Sequence, residues 1–261
     1  MIYNNPRAAG TDTKGWRRRL LPVIGLMACV LAPVSQAVAD QHYKSIWVER
    51  GGVIAGKVFA RRVTPKAERF VIAKQTEVCG GEHRDHPVIS VRDAMLQDVV
   101  VYLEGVSAGK SFRAAASKIT INQQGCRFVP YLSVLMQGGE LEVVNSDPVL
   151  HNIHIYELVG MTRRNFANIS QPRKGDIATM SVHLSAGTAL KIECDAHNFM
   201  HAFVFVARNP YFAVVGTDGT YELMDVPPGR YTIHAWHPYL GDKQQAIDIV
   251  PGTRVQLDFW F

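Results

Sequence analysis

The sequence predicts an all-β protein built as two β-sandwiches, and three observations predict it. After Asp40, short apolar or alternating runs recur with Gly, Pro, Asn and Asp between them. No later stretch repeats with the 3.6-residue period of an amphipathic helix. The turn chemistry then divides into a middle block, about 117–208, and outer blocks that share a different signature. At 261 residues the chain has room for two compact domains, each with its own core.

The first element is a leader. Lys14 and Arg17-Arg18-Arg19 form a basic stretch, Leu20 opens an apolar run that reaches Leu31, and Ala37-Val38-Ala39 precedes Asp40. That run is shorter than the roughly 20 residues a bilayer span needs, so 1–39 reads as a cleaved signal peptide and not as a stable membrane span. The expected location is the periplasm, or another exported compartment. Arg17-Arg18 ahead of Leu20-Leu21 leaves the twin-arginine route open, and Cys29 leaves a lipoprotein variant open, although Met27 is bulky for that cleavage box.

Cleavage would also remove most of the charge. Without Arg7, Lys14, Arg17, Arg18, Arg19 and Asp12, the formal +5 falls to 23 basic against 22 acidic side chains, or +1. No basic patch is left to argue for nucleic acid.

The clearest strands fall at 53–60, 99–103, 141–145, 189–193, 201–206, 220–223, 230–236 and 254–261. The polar, mixed stretch 162–179 reads as a loop or a short helix. In the last block, Asp218-Gly219 supplies a hairpin turn, and Pro227-Pro228-Gly229 bends between two strands.

The chemistry concentrates in two short segments. One is Asn145-Ser146-Asp147-Pro148-Val149-Leu150-His151-Asn152; the other is Cys194-Asp195-Ala196-His197-Asn198-Phe199-Met200. A thiolate, two imidazoles and a weak thioether are the donors of a trigonal copper site with a long axial sulfur. Three of these come from one tight loop and the fourth from a distant strand connection, which makes such a site rigid. Asn152 is placed to hydrogen-bond across to the cysteine loop.

These segments, with Phe128-x-Pro130, Gly138-Gly139 and Leu141-x-Val143-x-Asn145-x-Asp147, resemble the cupredoxins. The spacing of C-x-x-H-x-x-M is similar to the amicyanins among them. The resemblance implies a Greek-key β-sandwich over 117–208 that holds one type 1 copper ion. Cys194, His151 and His197 would be the equatorial ligands and Met200 the axial one. The loop departs from amicyanin at Asp195, Ala196 and Asn198, where threonine and two prolines are usual.

The outer blocks, 48–110 plus 209–261, resemble the transthyretin-like, carboxypeptidase-regulatory sandwich. The resemblance rests on Gly52-x-x-x-Gly56-x-Val58 and on Val226-Pro227-Pro228-Gly229. On this reading the copper domain is inserted into the outer sandwich; simple tandem order stays open.

Three cysteines remain after the leader, and an odd count in an oxidising compartment suggests one disulfide and one thiol kept for other work. With Cys194 given to the metal, the pair is Cys79 and Cys126. The other histidines read more plainly. His154 lies three residues from His151 and so on the opposite strand face. His201 begins a strand. His83 and His86 read as a solvated loop, with an auxiliary metal site as the alternative. His234 and His237 read as strand and turn residues.

The expected function is a one-electron carrier and not an enzyme. Copper oxidases and reductases commonly need His-x-His pairs, and the sequence has none. Without C-x-x-C-H, any haem belongs to the partner, and the resemblance implies a periplasmic dehydrogenase or c-type cytochrome. The electron would leave through His197, with Phe199 in the docking patch. A copper-handling protein and a metal-free β-sandwich binding module are the alternatives.

Overall fold

The computed structural model describes residues 43–261; the predicted leader lies outside them. The described chain is β-sheet throughout, as the alternating runs predict, with one short helix at Thr76–Cys79 and a 3-10 turn at Ala114–Ala116.

The middle of the chain forms two facing sheets. One runs Phe128–Val129, Lys118–Gln123, Glu140–Asn145, Ile177–Ser181 in spatial order. The other runs Leu132–Met136, His201–Ala207, Ala189–Glu193, His151–Val159, Thr162–Gln171. Alternate side chains turn inward, as in Glu140–Asn145, where Leu141 and Val143 are fully buried with Ile121, Leu135, Ile153, Ile155, Leu190 and Ile192. Each such side chain contributes about 1.5–3 kcal/mol on leaving water.

The flanking segments make a second pair of sheets with a separate core around Ile54, Val58, Leu103, Tyr211 and Ile233. Its central strand, Gly52–Phe59, pairs antiparallel with Thr220–Val226 and parallel with Arg254–Gln256 and Phe259–Trp260. Gly56 permits this close approach, since a Cβ there would fall 1.7 Å from the Leu257 carbonyl oxygen.

His201–Ala207 is buried on both faces. Ala202, Val204 and Val206 point into the first core, while Phe203, Phe205 and Ala207 pack with Val100 and Trp236 of the flanking sheets. This explains why the strand is continuously apolar where others alternate.

Two segments differ from the sequence expectation. The 162–179 stretch is neither loop nor helix: it holds the strands Thr162–Gln171 and Ile177–Ser181. Thr162–Gln171 is an edge strand whose side chains are mostly solvated, so it carries no apolar alternation to read.

The second difference is at 66–89. Lys66–Val71 and His83–Ile89 form a two-stranded ribbon that joins no other sheet among the described residues. His83 and His86 therefore lie on a strand and not in a solvated loop. His86 is buried, its ring centroid 3.6 Å from that of His201. The segment between the strands leaves the flanking sandwich and inserts Ile72 and Cys79 into the first core. A Cys79–Cys126 disulfide fixes it there. Arg84 adds hydrogen bonds to the carbonyl oxygens of Cys79, Cys126 and Gly125.

Candidate metal centre

His151 opens the His151–Val159 strand and Cys194 follows directly on Ala189–Glu193. These strands are antiparallel neighbours with His154 opposite Glu193, so the start of one lies beside the end of the other. From Cys194 the chain makes two successive four-residue turns that share His197: His197 N–H donates to the Cys194 carbonyl (3.2 Å) and Met200 N–H to the His197 carbonyl (2.9 Å). Cys194 N–H then reaches the Met200 carbonyl at 3.3 Å, closing the loop. The same seven residues thus present a thiol, an imidazole and a thioether from one compact turn.

Three donor atoms converge. Nδ1 of His151 and Nδ1 of His197 are 3.1 Å apart, and Cys194 Sγ lies 3.8 and 3.7 Å from them. The point equidistant from the corners of that triangle is about 2.1 Å from each, close to the roughly 2.0–2.3 Å of metal bonds to imidazole nitrogen and thiolate sulfur. The exposures of His151, Cys194, His197 and Met200 are 0, 1, 3 and 1%. A transition-metal ion fits this donor set.

The hydrogen bonds around the rings fix which nitrogen faces inward. His151 Nε2 donates to Asp147 Oδ2 at 2.9 Å, because an ionised carboxylate only accepts. Burial pushes the Asp147 carboxyl up, but hydrogen bonds from Cys126 N–H, His151 and Gly125 N–H outweigh it and hold the group below its ordinary range. His197 Nε2 donates to Gln75 Oε1 at 3.0 Å. Both Nδ1 atoms therefore turn lone pairs toward one another and toward the sulfur. Lone pairs 3.1 Å apart in a dry site repel unless a cation lies between them.

Asn152 braces the cysteine loop. Its backbone N–H points at Cys194 Sγ (3.5 Å), and its side-chain oxygen accepts from Asp195 N–H (2.7 Å) and Ala196 N–H (3.4 Å). Its amide donates to Asp195 Oδ2 at 2.8 Å. The loop has no prolines at these positions, and this clamp supplies the stiffness. Burial pushes the Cys194 thiol up in the metal-free chain, opposed by the N–H groups of Asn152, Ala196 and His197.

His154 sits away from the donor triangle and binds Asp195 at 3.0 Å. His234 lies between Asp242 (2.7 Å) and Glu104 (3.3 Å), and His237 Nδ1 accepts from Tyr239 and Leu240 N–H.

One expectation needs correcting. His197 is not the solvent edge of the site, and Phe199 is not part of an open patch. Gln75 covers His197, while Phe199 is buried with the Arg84 guanidinium 4.9 Å from its ring centroid. Both covers come from the 66–89 excursion. Sequence reasoning missed Gln75, which has no local signal, and gave Asp147 no role although it stands in the Asn145-x-Asp147 pattern.

The metal-free chain should lose stability in mild acid. Burial pushes His86, His197 and His237 down to about 4 and His201 to about 3, from an ordinary 6.5. Because these folded values are depressed, the unfolded chain takes up protons first as pH falls below about 6.5. The melting temperature of the metal-free protein is expected to fall steadily from pH 6.5 to 4 in thermal scans. His234 acts oppositely: burial lowers it, but Asp242 and Glu104 raise it further, so its contribution is full below pH 6.5 and is lost as pH rises through its folded pKa. A flat profile between 6.5 and 4 would contradict the burial of neutral imidazoles.

No protein-family model matches the chain, and no curated protein matches it. Among solved structures it is similar to a Cu-containing nitrite reductase (NirK) from Thermus scotoductus SA-01. That likeness has 16% identity over 34% of this chain and 22% of that one, with a TM-score of 0.28. An amicyanin from Paracoccus versutus is 15% identical over 37% of this chain and 86% of its own, with a TM-score of 0.28. A purple cupredoxin from Nitrosopumilus maritimus is 18% identical over 34% and 98%, with a TM-score of 0.27. At such values these likenesses carry no weight for function. The side-chain geometry does.

Proposed function

We propose that this chain is an exported type 1 copper protein that carries single electrons between periplasmic redox partners. The observation that supports it is the triangle of two inward Nδ1 lone pairs and the Cys194 sulfur. One copper ion held there, with Met200 as a fourth and weaker donor, supplies a one-electron couple. The chain's own contribution is rigidity and dryness. Asp147 and Gln75 hold each ring in one tautomer, Asn152 N–H points at the sulfur, and burial excludes water. A donor set so fixed changes little between oxidation states, which favours rapid electron exchange.

A handling protein that passes copper on is the second reading, and a buried four-donor set with no exposed ligand argues against fast handover. The partner is proposed as a periplasmic dehydrogenase or c-type cytochrome. The test is to add Cu(II) to the purified mature chain and cycle it with a mild reductant and oxidant. An intense blue band that bleaches and returns is the expected result; colourless or irreversible binding favours handling or no copper role.

A further inference from the structure

The disulfide lies against the metal-binding histidine. The sulfurs of Cys79 and Cys126 and a ring nitrogen of His197 all lie within 4.8 Å of one another, as do the donor atoms of His151, Cys194 and His197. His197 belongs to both groups. Meanwhile every donor of the inner group is at most 3% exposed, so a metal ion in solvent does not touch the set while the 66–89 excursion covers it.

Apart from its cross-link, that cover is held by side-chain contacts such as those of Ile72, Arg84 and His86 rather than by sheet pairing. It is a two-stranded ribbon without a further sheet neighbour, and Lys66–Val71 is almost wholly solvated. Such isolated ribbons belong to the low-stability end of a fold. Cys79 ends the Thr76–Cys79 helix, and Gln75, which caps His197, immediately precedes it. The latch and the cap are thus one short piece of chain.

We propose that the dithiol form of Cys79 and Cys126, with His197, is a second copper(I) site through which the inner set is loaded before the disulfide closes over it. This rests on the copper reading above. An exported protein dithiol gives two electrons and two protons to the Cys79–Cys126 bond, which breaks to two thiols while the donor becomes a disulfide. Copper(I) displaces both thiol protons and binds two thiolates and the imidazole, donors that suit the soft monovalent ion.

Transfer inward frees the two thiolates, which regain protons: one from the Cys194 thiol as it binds copper, the other from solvent. A protein disulfide then takes two electrons and two protons, and the Cys79–Cys126 bond re-forms. His197 serves as the hinge donor common to both sets.

The test uses the mature chain carrying Cys194→Ser, with copper(I) as probe and a chromophoric copper(I) chelator as competitor. The phosphine-reduced form is expected to bind one copper(I) about tenfold or more tightly than the disulfide form. Adding His197→Ala should remove that gain. Equal affinity in the two forms would overturn the proposal, as would loss of the far-ultraviolet circular dichroism on reduction, since the site needs the fold. A wild-type chain that turns blue, paired with a Cys194→Ser chain that gains no reduced-state affinity, would sink the loading route alone. A colourless wild type with a reduction-dependent site would sink the carrier reading alone.

Discussion

Replacing Cys194 with alanine is expected to abolish the blue colour completely and to weaken copper binding by several orders of magnitude. An intense visible band in such a site arises from charge transfer between a thiolate and the metal, and Cys194 is the free cysteine among the described residues. The substitution removes one corner of the triangle and leaves the two Nδ1 atoms 3.1 Å apart with no sulfur to complete the set. The side chain is buried but small, so the fold itself should survive its truncation; thermal melting of the metal-free variant checks this. Absorption spectra after addition of Cu(II) decide the matter. A variant that still turned blue would place the metal elsewhere.

Removing the disulfide with Cys79→Ala and Cys126→Ala together is expected to cost about 4 kcal/mol of stability. In the chain-entropy treatment a cross-link over a 47-residue separation restricts the unfolded chain by roughly that amount. The native side of the balance also suffers. The cross-link draws the excursion onto the first core, and Arg84 spans both half-cystine carbonyls. Denaturant unfolding of the metal-free variant measures the loss. The type of colour should not change, because none of the proposed ligands is removed, although His197 should become more open to solvent. A change of colour type would mean that the disulfide shapes the donor set directly, and a loss below about 1 kcal/mol would mean that the excursion is held by packing alone.

The parts legible in the sequence were those written in local pattern. Alternation in 140–145 and 52–59 marks strands because each has one face in a core. The donor residues stand out because three of them share one seven-residue turn. The pairing of Cys79 with Cys126 was readable only from a count of three mature cysteines, and the structure supplies its place.

What the sequence hid is long-range or solvated. Thr162–Gln171 and Gly241–Ile249 are edge strands with little buried surface, so their polarity reads as loop. Gln75 meets His197 across 122 residues of chain, and no periodicity announces a lone glutamine. The same excursion lays Gln75 over His197 and Arg84 over Phe199. A resemblance built on the middle block alone could not foresee a cover from the flanking one.

The donor set can be measured directly by X-ray absorption at the copper edge of the loaded mature chain. The account predicts one short sulfur neighbour and two imidazole nitrogens around a single copper ion, with the sulfur lost in Cys194→Ala. A shell of nitrogen and oxygen only, or a sulfur that persists in Cys194→Ala, would contradict it.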